Sequence, residues 1–565
     1  EWGYDETVSV ELVGEGARLV IPMVSGYHRE TISLILTVTD SLGQTGEAII
    51  TLELIDRIEE AIESGDPRHL LDDERSLLER VISESSDIES EHIDLLSALY
   101  GDLEVIYNPT RHSQYFTPLG LSSALPLITG QGGKQLASIT QRGTLRAAAF
   151  GSDILSGADR GDFVSIEPMI DRLLRWLVGE ELESLSGPID MIAWGAQEVR
   201  IVGLSEGSAQ QSMSYLRDGF PTWSIEVCPL TERIIGDEEG ESLETCLGDA
   251  DLVIVGTQGV SDEQQYMTAI QATVDRSVPL LYTHQHSWNS ASVTRPLLAL
   301  IGLSIQGPGG PGNYFARDQA DWLNAIEMLE SVSEIAGVTV MATRFLNGEF
   351  TLDLDQCSSN CGEYVAYQES FGRAAQLLRS SNRGLSQRGA RLFDLEGERL
   401  HKLLVLLGDL WRRQVSFPMD RLITPVDLFL RSYFADHAHL IHRSVNPTSA
   451  DLGDFSREDF SHVTPETVSL TYVSKPPFRS AQVYAIPGQS FTVTRLDEEQ
   501  GLDIQIQINS LREGSVHEFD DYGYTRPKYM ASAPIPLPVG QSLTLTSAYG
   551  GIVHLRFSAS GQETS

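Results

Sequence analysis

The chain is 565 residues long and carries 40 Lys and Arg against 80 Asp and Glu, a formal net charge of −40. So acidic a surface repels polyanions, and no basic run interrupts it, which excludes nucleic-acid binding and electrostatic adhesion to an anionic membrane. An apolar content of 41% supplies ordinary globular cores, and the length implies about three or four domains.

The first residues, EWGYDETVSVEL, contain neither an initiator Met nor a signal peptide, so the chain is expected to be a fragment or processed form. Period-two alternation in TVSVELV, ARLVIPMV, TISLILTVTD and EAIITLELI predicts strands across residues 7–55, with DSLGQTGE as a hairpin turn. The stretch LTVTDSLGQTGEAIITLEL resembles the last two strands of a cadherin-like or other immunoglobulin-type bacterial surface module. That resemblance implies a partial β module at 1–56 acting as a spacer. A charged helical connector follows at 57–100, where Leu77, Leu78 and Val81 share one face at helical spacing.

Across 101–345 short apolar runs alternate with helical segments. IDMIAWG (189–195), VRIVGL (199–204), ADLVIVGTQG (250–259) and VPLLYTHQHS (278–287) predict buried strands, and DEQQYMTAIQATVDR (262–276) the helix between the last two. This βαβ pattern predicts an α/β domain with a parallel sheet, resembling in outline a class I glutamine amidotransferase-like sheet. Ligands gather beyond the carboxyl ends of such strands. The tips are Gly256-Thr257-Gln258-Gly259 and the segment after Thr283, which nominates His284, His286, Ser287, Trp288 and Asn289 as a binding site. A nucleophile also needs a base and an orienting acid brought together in space, and no G-x-S-x-G elbow is present. GPGGPGNYF (307–315) lacks the order and the Lys of a phosphate loop, and its prolines remove backbone donors.

Four cysteines, Cys228, Cys246, Cys357 and Cys361, form two locally spaced pairs. Short-loop disulfides in an oxidising compartment, free buried thiols and a metal site are all open to them.

Residues 346–445 are predicted to be a helical region, with Leu400, Leu403, Leu404, Leu407 and Trp411 forming a stripe that buries one face. The longest apolar stretches, LLALIGLSI (297–305) and LHKLLVLLGDLW (400–411), fall short of the roughly 20 residues of a membrane helix, so no transmembrane segment is expected. The densest His cluster is FADHAHLIHRSV (434–445). On a helix His439 and His442 are i, i+3 neighbours with His437 on another face, so those two are weak candidates for sharing a metal ion. No H-E-x-x-H occurs; the His–Glu juxtapositions EHIDL (91–95) and VHEFDD (516–521) lack a second His four residues on and read as surface or turn residues.

A Pro-, Ser- and Asp-rich linker at 446–467 leads into six short strands at 468–565, a pattern that predicts a β-sandwich. IPGQSFTVT and PVGQSLTLTS are each a turn followed by an alternating strand, which suggests two equivalent positions. Phe478-Arg479-Ser480, VYAIPGQ (483–489), Tyr524-Thr525-Arg526-Pro527-Lys528 and Tyr549-Gly550-Gly551 resemble the β-sandwich that precedes the catalytic domain in ImpA-type immunomodulating metalloproteases, relatives of enhancin-like zinc peptidases that cleave mucin-type glycoproteins.

The resemblance implies the non-catalytic N-terminal portion of a secreted or surface-attached bacterial zinc metallopeptidase acting on O-glycosylated proteins. Its partners would be O-glycosylated proteins or glycans and a downstream catalytic domain on the same polypeptide. In the family, the zinc-binding H-E-x-x-H lies beyond this β region. No catalytic residue is therefore carried over, no cofactor is assigned to this chain, and zinc is expected in the peptidase domain. A stand-alone glycan- or protein-binding adhesin is the second reading, with Trp223, Trp288, Tyr314 and Tyr522 as candidate sugar-stacking aromatics. An α/β hydrolase or amidotransferase-like enzyme using the 284–289 loop is the third, and it lacks a Cys nucleophile in the expected elbow.

Overall fold

In the computed structural model the described residues are 10–13, 16–19, 30–39, 42–54, 56–70, 72–101, 103, 113–121, 124–130, 134–163, 166–185, 196–230, 242–285, 291–305, 323–324, 334–357, 361–395, 397–420, 423–445, 460, 462–497, 502–521, 523–561 and 563–564. Two antiparallel hairpins come first: β1 (Val10–Val13) with β2 (Gly16–Leu19), and β3 (Glu30–Thr39) with β4 (Thr45–Leu54) in continuous register from Glu30 opposite Leu54 to Thr39 opposite Thr45. The turn between β3 and β4 falls where DSLGQTGE places it.

Helix Arg57–Ser64 starts at Asp56, whose carboxylate accepts the Ile58 amide at 2.9 Å. The 27-residue helix Glu74–Tyr100 then runs between two cores. Its first half buries Leu77, Leu78 and Val81 in a helical core, and its last turns bury Leu95, Leu96, Leu99 and Tyr100 against a sheet. One long element thus joins two domains rigidly, because apolar side chains are anchored at both of its ends.

The sheet holds β5 (Phe116–Pro118), β6 (Leu125–Gly130), β7 (Lys134–Arg142), β8 (Leu145–Phe150), β9 (Glu198–Val202), β10 (Ser224–Val227), β11 (Leu252–Val255), β12 (Leu280–Thr283), β13 (Leu303–Ile305) and β14 (Leu323–Asn324). Its order is β10-β9-β11-β12-β8-β7-β5-β13, with β6 pairing both β7 and β14. Strands β10, β9, β11, β12 and β8 are parallel, whereas β7 runs antiparallel to β8 and β5, β6, β13 and β14 continue antiparallel. The sheet is therefore mixed, a correction to the all-parallel expectation: the β7–β8 hairpin turns at Gly143, so these two neighbours need no crossover helix. The apolar runs behave as expected for strands buried on both faces. Leu252 and Ile254 face one helical layer while Val253 and Val255 face the other. The segment 189–195 lies outside the described residues.

Helices Glu334–Asn347, Arg373–Arg388, Arg399–Arg412 and Val426–His437 share the helical core with Glu74–Tyr100. The predicted stripe Leu400, Leu403, Leu404, Leu407 and Trp411 is wholly buried there. Trp411 packs edge-on to Phe434 at 5.0 Å, and Val516, Phe519 and Tyr524 enter the same core from the C-terminal region. The helical and β regions therefore share packing.

The last region contains separate antiparallel sheets: β16 (Phe478–Ala485), β21 (Gly551–Phe557), β18 (Ile504–Ile508) and β19 (Ile535–Pro536) in that order, β17 (Ser490–Thr494) with β20 (Ser542–Thr546), and β15 (Tyr472–Val473) with β22 (Glu563–Thr564). The two G-Q-S strands pair with each other, Ser490 opposite Thr546 and Thr494 opposite Ser542. Gly551 has φ +138°, and a Cβ there would stand 2.1 Å from the Asn509 amide that holds the Gly550 carbonyl at 2.9 Å, so the Tyr-Gly-Gly turn requires glycine.

Candidate functional site

At the carboxyl edge of the sheet, the residues that sequence reasoning nominated divide. His286, Ser287, Trp288 and Asn289 lie outside the described residues, as do Tyr314, Tyr522 and the 307–315 loop. His284 is described and 4% exposed; its Nδ1 lies 2.6 Å from the Tyr282 hydroxyl and its amide donates to the Phe150 carbonyl at 3.1 Å. Around it the strand ends are knitted by their own polar groups. Thr283 donates to the Ser152 carbonyl at 3.1 Å, Ser208 to Asp153 at 2.6 Å, and the Ser205 amide to Gln285 at 3.0 Å. Gly203 and Gly256 cross so closely that a Cβ on either would meet the other's carbonyl oxygen, at 2.3 and 2.5 Å. The described part of this edge is filled by internal hydrogen bonds.

The His cluster is also arranged differently from its expectation. The helix ends at His437, with Ala438 as its cap, so His439 and His442 do not share a helical face. His439 pairs through Nδ1 with the Tyr529 carbonyl at 3.2 Å and packs on the Tyr549 ring at 4.7 Å. His442 is buried beside Arg391 and the Ala390 backbone. Burial holds His437 and His439 neutral down to about 3. Among the described residues no three His, Cys, Asp or Glu side chains converge as a metal ion requires, and this pair does not fit zinc. The four cysteines are disulfide-bonded, Cys228 to Cys246 and Cys357 to Cys361. Of the two His–Glu juxtapositions, read as surface or turn residues, His92 is half-buried on helix Glu74–Tyr100, where it lines an acidic cleft with Glu84, Glu91 and Asp94 and burial lowers it to about 4. His517 is an exposed turn residue. Trp223 is 6% exposed and stacked on Phe220 at 4.1 Å, which makes it a core residue and corrects its nomination as a sugar platform.

Polar side chains converge instead at the seam between the helical and C-terminal regions. Helix Arg373–Arg388 presents Arg379, Asn382, Arg383 and Ser386 on one face, the i, i+3, i+4, i+7 set. Opposite stand Gln507 of β18, Arg556 of β21 and the segment from Tyr529 to Pro534, enclosing about 220 Å³. The Arg379 guanidinium carbon sits over the Tyr529 ring, 3.4 Å from its centroid, and Arg379 pairs with Glu513. Burial pushes the Tyr529 hydroxyl up to about 12.

The seam is held by two buried networks. Asp436 accepts the Tyr524 hydroxyl at 3.0 Å and the Lys528 and Tyr529 amides at 2.5 and 3.1 Å, which fixes the Tyr-Thr-Arg-Pro-Lys segment against the helix. Glu518 receives the Lys528 ammonium at 2.5 Å and the Tyr433 hydroxyl at 3.1 Å. The cleft escaped sequence reasoning because its two walls lie more than a hundred residues apart. Only Arg379 and Arg383 gave a signal, as like charges at i, i+4 that an isolated helix would disfavour.

A mixed α/β sheet joined through helix Glu74–Tyr100 to a helical core, which in turn packs on a region of antiparallel β-sheets, defines a multidomain class, and its parts match known proteins. The model of the immunomodulating metalloprotease N-terminal domain matches residues 95–314, and that of the immunomodulating metalloprotease helical domain matches residues 339–444. The immunomodulating metalloprotease of Pseudomonas aeruginosa is 25% identical over 515 residues, covering 89% of this chain and 52% of the relative. Two solved structures share the fold. One is IMPa from Pseudomonas aeruginosa in complex with an O-glycopeptide, with a TM-score of 0.70 and 22% identity over 90% of this chain and 56% of that one. The other is the IMPa metallopeptidase in complex with T-antigen, with a TM-score of 0.68, 21% identity and the same coverage. The chain belongs to the immunomodulating metalloprotease family, and it spans about half the length of the curated relative it matches.

Proposed function

We propose that this chain is a non-catalytic, substrate-recognising part of a secreted or surface-attached bacterial zinc metallopeptidase acting on O-glycosylated, mucin-like proteins, and that it positions a zinc-binding peptidase domain of the same polypeptide. The observation that carries the reading is the seam: the buried Asp436 and Glu518 networks and a shared aromatic core make the helical and C-terminal β regions one support. Family membership and the glycopeptide and T-antigen complexes of the solved relatives support the substrate class. The finer architecture belongs to the same proposal. The β3–β4 hairpin is an immunoglobulin-like spacer, the mixed sheet is amidotransferase-like in outline, and the C-terminal sheets form a β-sandwich leading to the peptidase domain. Zinc is assigned to that domain.

The test incubates the purified chain with a mucin-type glycoprotein, with added zinc and with a chelator. Binding without cleavage is expected. Chelator-sensitive cleavage would overturn the non-catalytic role, and loss of both binding and cleavage would overturn recognition.

A further inference from the structure

Among 80 acidic side chains, the seam cleft is a place where arginines gather: Arg379, Arg383 and Arg556 line it with a single carboxylate, Glu513. Glu513 and the Tyr529 ring occupy Arg379. Arg383 is exposed and Arg556 half-buried, and neither has an ion pair or hydrogen-bond partner among the described residues. Two guanidinium groups without counterions at one small cleft favour a carboxylate, which each can hold through paired N–H donors. The other groups in the wall are neutral. Gln507 and Ser386 offer amide and hydroxyl chemistry. His439 donates through Nδ1 to the Tyr529 carbonyl and is kept neutral, so its buried Nε2, which meets no described partner, is an acceptor awaiting a hydroxyl or N–H donor. A ligand that satisfies both walls carries a carboxylate together with hydroxyl or amide donors. About 220 Å³ limits it to one sugar ring or a group of that size.

We propose that this cleft binds the carboxylate-bearing sugar of an acidic glycan, with Arg383 and Arg556 as the carboxylate's partners. The choice of a sugar over a peptide as carrier of the carboxylate rests on the O-glycoprotein reading above.

The probes are free N-acetylneuraminic acid, neutral N-acetylgalactosamine and a glutamate-containing peptide, titrated into the whole chain by ligand-observed NMR. The acidic sugar is expected to bind, more weakly as salt rises, and Arg383→Gln and Arg556→Gln are each expected to weaken it about tenfold. Arg383 is exposed and Arg556 half-buried, and an unchanged melting temperature checks that the variants fold. Equal binding of the neutral sugar, equal binding of the peptide, or full binding by both variants would overturn the proposal. A mucin-type glycoprotein that binds without competition from the acidic sugar would also overturn it and leave the recognition role standing. Acidic-sugar binding without any glycoprotein binding would instead sink the recognition role and keep the site.

Discussion

Asp409 and Arg443 form a fully buried ion pair at 2.6 Å, bringing together residues 34 positions apart in the chain. The second oxygen of Asp409 holds Arg412 at 2.6 Å, Arg412 reaches the Tyr549 hydroxyl at 3.3 Å and the Ala435 carbonyl, and Arg443 reaches the Gly65 carbonyl. One carboxylate thus links the first helix, the helical core and the C-terminal sheets. Replacing Asp409 with Ala leaves two buried guanidinium groups without their counterion. Stability should fall by about 3–5 kcal/mol, read as a lower urea midpoint. A change under about 1 kcal/mol would show that the network is not a structural joint.

Acid should loosen the same region. Burial holds His401, His437 and His439 neutral down to about 3, against an ordinary value of 6.5. As pH falls through 6.5 the unfolded chain takes up these protons and the folded chain does not, so the stability they permit at neutral pH is lost progressively toward pH 3. Asp436 works in the opposite direction. Burial raises it to about 6 from 3.8, so its contribution is full below about 3.8 and is lost as pH rises through 6. Three imidazoles outweigh one carboxyl. The melting temperature should therefore drop between pH 6.5 and 4.5, and a flat or rising profile in that window would contradict this balance.

The two disulfides should contribute unequally. Cys228–Cys246 closes a loop of 18 residues and Cys357–Cys361 one of 4. A cross-link stabilises chiefly by restricting the unfolded chain, which gives about 3 kcal/mol for the longer loop and less for the shorter. Replacing Cys228 and Cys246 together with Ala should lower the melting temperature more than the same change at Cys357 and Cys361. The reverse ranking would point to packing in the helical core as the larger effect.

Strands β11 and β12 were legible because strands buried on both faces read as uninterrupted apolar runs, and β9 because its apolar run is broken only by Arg200. Leu400 to Trp411 was legible because its stripe has helical period. The antiparallel half of the sheet was not, since β5 pairs with β13 and β6 with β14, partners far away in the chain. His439 was misplaced for a related reason. The helix stops at His437 without Gly or Pro, and the Tyr529 carbonyl, 90 residues on, takes the His439 imidazole. The seam cleft combines both difficulties: helical spacing displays Arg379 and Arg383 together, but nothing local tells that Gln507 and Arg556 will face them.

Trp223 separates packing from recognition. As a sugar platform it would be exposed, and its loss would weaken glycan binding while leaving the fold intact. Instead it is buried, stacked on Phe220 and packed into the sheet core with Leu216 and Ile225. Trp223→Ala should therefore cost about 3–5 kcal/mol of stability. Glycoprotein binding per folded molecule should be unchanged, measured well below the lowered melting temperature. An unaltered melting temperature with lost binding would return Trp223 to the ligand surface and favour the adhesin reading.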